Sequence, residues 1–204
     1  MKPAIDELIV GGGVEPWREA GFVLDGAAID VGAVRLRLAG PDAGQGLLSW
    51  SLRAVETTDF DGLPTAISEA PPPQAASHPN GAVQLDHVVV FTPDFERTNG
   101  ALEEAGIELR RVREAEYDGA PVKQGFYRLG EVILEVSAHP SVPPGPARFW
   151  GVVFVVEDIE RCAELLGDRL GAVRDAVQPG RRIATVREEA GLGLPVALIT
   201  PEDR

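Results

Sequence analysis

Internal repetition is the feature that most constrains what this chain can fold into. Leu85-Asp86-His87-Val88-Val89-Val90 opens a segment that closes at Tyr127-Arg128-Leu129-Gly130-Glu131-Val132-Ile133-Leu134-Glu135-Val136. Phe149-Trp150-Gly151-Val152-Val153-Phe154 opens a second, closing at Leu194-Pro195-Val196-Ala197-Leu198-Ile199. Both read in the order strand, helix, strand, strand, strand. A period of roughly sixty residues marks a duplicated supersecondary unit, which needs its neighbour to bury its apolar face. The pattern predicts an α+β chain with βαβββ modules at 84–138 and 147–200.

Local signals set the elements. In the first module, Leu85 to Phe91 is β-rich, and Asp94 caps a helix that runs to Ala105 and stops at Gly106. Ile107 to Arg113 reads as a strand and Glu114 to Ala120 as a polar loop. Lys123 to Arg128 and Glu131 to Val136 read as strands joined tightly through Gly130. In the second module, strand Val152 to Val156 precedes helix Ile159 to Leu170, and strands follow at Arg181 to Arg187 and Pro195 to Ile199. Residues 71–83, which begin Pro71-Pro72-Pro73, form a semi-extended linker.

Residues 1–70 carry a fainter copy. Ile29 to Leu38 aligns with Tyr127 to Val136, Gly32 on Gly130, and Ile5 to Val10 aligns with Leu85 to Val90. Only Glu15 to Gly21 is left for a helix. Gly46 to Val55 reads as the opening strand of another copy, with Asp59 to Ala70 as its helix. The reading is one shortened module plus a fragment of a second; the alternative is unrelated β-rich segments. In this alignment Glu7 takes the place of His87 and Arg37 that of Glu135, which predicts an ion pair.

Charge and cysteine content narrow the function classes. A net charge of −13 argues against nucleic acid or an anionic membrane as partner, since both need a basic face. The single cysteine, Cys162, lies among Ala163, Leu165 and Leu166; it suggests packing and a reducing cytoplasm. Asp6 and Glu7 interrupt the N-terminal apolar stretch, so it does not read as a signal peptide, and no apolar run approaches a membrane span.

Side chains alternate across a strand. Val132, Leu134 and Val136 therefore share one face, and Glu131, Ile133 and Glu135 the other. Leu85, His87, Val89 and Phe91 oppose Asp86, Val88 and Val90. If His87 and Glu135 share a concave face, they form either a cavity-lining hydrogen-bonded pair or two ligands for Zn, Fe, Mn or Ni.

The βαβββ order, the LDHVVV opening and the GEVILEV closing strand resemble the vicinal oxygen chelate superfamily of glyoxalase I, bleomycin-resistance proteins and extradiol dioxygenases. The resemblance covers residues 84–200 well and 1–70 weakly. It implies a curved mixed sheet of paired modules around a cleft, helices on the outer face, and metal ligands at His87 and Glu135. Gly151 and Ile199 stand where the second module would supply its ligands, and neither can ligate through its side chain. The set is incomplete, because catalytic divalent sites use three protein ligands.

Gln124 and Arg182, aligned between the modules, are expected to orient a polar or anionic ligand beside Phe126, with Val89, Ile133, Val153 and Ile199 as apolar walls. Trp150 reads as core or interface, Gly11-Gly12-Gly13 as a turn, and His78 and His139 as loop residues without evident partners. Three functions follow. The leading one is a glyoxalase/bleomycin-resistance-like protein that binds a small molecule without turnover. The second is a metal-dependent lyase, isomerase or dioxygenase, its set completed by Glu131, Gln124, Glu7 or a homodimer. The third is a structural or interaction protein.

Overall fold

The computed structural model describes residues 2–117 and 119–202. It is α+β, with thirteen strands in two sheets among the described residues. The larger sheet takes β6 (Ala82–Thr92), β7 (Leu109–Tyr117), β8 (Ala120–Leu129) and β9 (Val132–Ala138) from the first half. From the second come β10 (Arg148–Val156), β11 (Arg174–Asp175), β12 (Arg182–Thr185) and β13 (Val196–Ile199). Its order is β11-β12-β13-β10-β6-β9-β8-β7, with β6 antiparallel to β10 at the centre. Each opening strand runs parallel to the closing strand of its own half.

The smaller sheet contains β1 (Ala4–Val10), β2 (Ala28–Val31), β3 (Val34–Leu38), β4 (Leu47–Arg53) and β5 (Thr65–Ile67) in the order β2-β3-β1-β4-β5. The larger sheet contains the same succession as β8-β9-β6-β10-β13, with the same parallel and antiparallel pairings. The small sheet thus has the centre of the large one without its outer strands. The glycine alignment has a physical basis here: Gly32 and Gly130 turn the tight β2–β3 and β8–β9 hairpins at φ of 59° and 66°, which L side chains resist.

Three α-helices complete the fold among the described residues. α2 (Phe95–Glu104) and α3 (Ile159–Leu166) start at Asp94 and Asp158, whose carboxylates accept from backbone amides of the first turn. They bury Phe95 and Leu102, and Ile159, Cys162 and Leu166. α1 (Glu15–Glu19) is a single short turn that sinks Trp17 into the core. One apolar cluster runs through both sheets: Phe154 packs on Trp17 and Phe22, and Phe149 packs on Trp50. No described helix is long and apolar enough to cross a membrane.

Several local expectations change. Asp59 to Ala70 is not a helix; it makes a turn and then β5, where Thr65 Oγ1 accepts the Trp50 indole N–H at 2.7 Å. Pro64 and the β-branched Thr65 and Ile67 suit an extended segment better than a helix interior. Glu114 to Tyr117, expected as loop, belongs to β7, which pairs with β8 as far as Tyr117 and Ala120; Asp118 of the expected loop lies outside the described residues. Trp150 is 45% exposed and stacks on Phe91. His78 has two partners: Nδ1 accepts the Val23 N–H at 3.0 Å and Nε2 faces the Asp30 carbonyl at 3.1 Å. His139 contacts Ser141.

Candidate ligand-binding cleft

Sheet register collects the site. Across the larger sheet, Arg111 pairs with Phe126, Phe126 with Glu135, Arg113 with Gln124, and Arg128 with Ile133, which pairs with His87. Directly paired residues point to the same side of a sheet, so one face carries all of these side chains. That face holds two adjoining cavities of about 560 and 200 Å³. His87, Arg113 and Phe126 line both; Gln124 and Glu135 line the smaller, with Val153, Ile183 and Ile199 as apolar wall. Ile133 lines the larger.

Four of the five side chains expected at a site therefore converge: His87, Gln124, Phe126 and Glu135. Gln124 donates its amide to Glu135 Oε1 at 2.6 Å. Burial raises the Glu135 carboxyl above its ordinary range, while His87, Gln124 and Arg113 pull the other way. Arg182 is not among the cavity-lining residues. It pairs with Asp175 across the strands, and its guanidinium meets Glu160 of α3 on the helix side. The preceding residue, Arg181, takes the inner position instead: it is 3% exposed and lines the larger cavity. A one-residue difference in strand parity exchanges the two faces.

Strand alternation alone would turn Asp86 away from His87, but a β-bulge changes this. The β6–β10 register runs from His87 opposite Val153 straight to Leu85 opposite Phe154, leaving Asp86 as an extra residue. Asp86 Oδ2 consequently lies against His87 Nδ1, and neither atom has another hydrogen bond among the described residues. Its other oxygen accepts from Arg181 at 2.8 Å, and Arg181 Nε donates to the Thr200 carbonyl at 2.7 Å. Burial alone would raise the Asp86 carboxyl, but His87 and Arg181 hold it below its ordinary value. The opening strand of the small sheet repeats the device: Asp6 is bulged and bonds Arg53 at 2.7 Å. The shared aspartate after Ile5 and Leu85 was the sequence signal for this bulge.

The second module leaves no room for a side chain at the position that corresponds to His87. Its bulge falls at Trp150, so Gly151 corresponds to His87. A Cβ on Gly151 would lie 2.5 Å from the Pro195 carbonyl oxygen. Register corrects the other position: Val89 pairs with Glu135 and Val153 with Ala197, so Ala197, not Ile199, is the counterpart of Glu135. No group of three His, Cys, Asp or Glu among the described residues is placed to hold a metal ion. Glu7 is bound to Arg37 in the other sheet at 2.7 Å, and Glu131 lines a separate cavity. His87 and Glu135 alone do not fit a complete divalent site.

No family model and no curated protein matches this sequence. Solved structures do. A variant of 4-hydroxymandelate synthase from Streptomyces coelicolor superposes with a TM-score of 0.70 at 13% identity, covering 100% of this chain and 94% of that one. The chain has the vicinal oxygen chelate fold. Methylmalonyl-CoA epimerase from Mycobacterium tuberculosis is also similar, with a TM-score of 0.48, 18% identity, and coverage of 60% of this chain and 91% of that one. In the fold of this chain, residues of both modules line the cleft, and Gly151 stands where the second module leaves no room for a side chain.

Proposed function

We propose that this protein binds a small molecule in the cleft of its larger sheet, as a glyoxalase/bleomycin-resistance-like member of the superfamily without a complete metal site. The convergence of His87, Gln124, Phe126 and Glu135 on one walled cavity carries this reading. Cavities that combine apolar walls with a few fixed polar groups are ordinary ligand sites. The steric closure at Gly151 supports binding without the superfamily's metal chemistry. The buried Cys162, its thiol pushed up to about 11 mainly by burial, suits a cytoplasmic protein that does not use thiol chemistry.

A thermal-shift screen of small metabolites and aromatic compounds tests the reading. Stabilising ligands are expected, and Phe126→Ala should abolish their effect. Absence of any stabilising compound across a broad library would favour a structural role.

A metal-dependent lyase, isomerase or dioxygenase is the second reading, because His87 and Glu135 line the same cavity. Metal analysis of protein purified without chelators separates the two. A stoichiometric transition metal, lost in both His87→Ala and Glu135→Ala, would replace the binding reading with the enzymatic one.

A further inference from the structure

The chain has 32 acidic residues against 19 Lys and Arg, yet the larger cavity reverses that balance. Arg110, Arg111, Arg113, Arg128 and Arg181 line it, with Glu202 as the acid among its lining residues. Three of these arginines are engaged. Arg181 is bound to Asp86 and the Thr200 carbonyl, Arg128 donates to the Glu131 carbonyl, and Arg110 pairs with Glu108 at 3.3 Å.

Arg111 and Arg113 differ. They stand two residues apart on β7, facing Phe126 and Gln124. The Arg111 guanidinium lies 5.8 Å from the Phe126 ring centroid, and Arg113, half-buried, makes no hydrogen bond among the described residues, although its charge acts on the nearby Glu135 carboxyl. Two neighbouring cations on one strand face repel each other, and an oxyanion between them removes that repulsion. A guanidinium fork matches the paired oxygens of such a group.

Resting on the reading of this cleft as the ligand site, we propose that Arg111 and Arg113 grip the carboxylate or phosphate group of a small organic acid. The apolar body of that acid packs against Phe126, Ile133 and Val177. The basic cleft in an acidic protein then sets selectivity: anionic ligands enter, and neutral molecules of the same shape bind less well.

Matched probe pairs test this on the full-length protein: benzoate against benzamide, and phenyl phosphate against benzyl alcohol. Binding is read from amide shifts of 15N-labelled protein, using Phe126 and Glu135 as reporters of the cleft. At least one anion should bind about tenfold or more tightly than its neutral partner, the range expected for charge-assisted hydrogen bonds. The pair with the larger preference identifies carboxylate or phosphate as the preferred group. Arg113→Met should remove the preference for the anion; Arg113→Lys, which keeps the charge but not the fork, should retain part of it. If neutral and anionic probes shift the cleft amides equally, and Arg113→Met changes nothing, the anion proposal is overturned while the cleft reading stands. If no probe shifts the cleft amides, both are overturned.

Discussion

Arg181→Met should be among the most destabilising single substitutions in this chain. The Arg181 side chain is 2% exposed and that of its partner Asp86 10%. Methionine fills much of the same volume, so the loss reports the broken interactions rather than a cavity. The change removes the 2.8 Å bond to Asp86 and the 2.7 Å bond to the Thr200 carbonyl, leaving a buried carboxylate with only His87 beside it. Removing one partner of a buried ion pair costs about 3–5 kcal/mol. For a chain of this size that corresponds to a fall in melting temperature of roughly 6–20 °C. Urea denaturation followed by tryptophan fluorescence is the assay, because Trp17 and Trp50 are both almost fully buried. Replacing both partners, Arg181→Met with Asp86→Leu, should recover part of the loss, since no unpaired charge is then left inside. Asp86 titrates below its ordinary value in the folded protein, so its contribution is complete above about pH 3.8 and is lost as pH falls through the lower folded value. A loss below about 1 kcal/mol for Arg181→Met, the size expected of an exposed pair, would refute the reasoning.

Arg37→Ala should behave differently, although the Glu7–Arg37 pair read from the sequence is formed. Arg37 is 49% exposed, so the loss should be about 0–1 kcal/mol by the same denaturation assay, and a larger one would place hidden structural weight on that pair. His78 should make stability fall in acid. Burial lowers its folded titration below 6.5, so the unfolded chain takes up the proton first and stability declines from about pH 6.5 downward. Denaturation midpoints between pH 8 and 5 should show this slope, and His78→Gln should flatten it. Gly151→Ala should cost about 1–3 kcal/mol, because its methyl group meets the Pro195 carbonyl; an unchanged midpoint would show that β10 and β13 can separate freely.

Elements whose signals are local or periodic are legible in the chain. The Asp94 cap, the Gly130 hairpin and the alternation of β9 all need only near neighbours, and the repeat needs only the chain compared with itself. His87 and Glu135 were also legible, because each lies on a strand whose period separates a core face from an open one. Tertiary structure alone decided which residues join them. The bulge at Asp86 inserts one residue into a pattern of period two, and so moves a carboxylate from its expected face to the imidazole. The same sensitivity put Arg181 inside and Arg182 outside, and moved the counterpart of Glu135 from Ile199 to Ala197. The arginines of β7 were legible as charges, but only their register with Phe126 and Gln124 shows that they face the cleft. Register across a sheet depends on pairing between strands distant in sequence, and no local signal specifies it to a single residue.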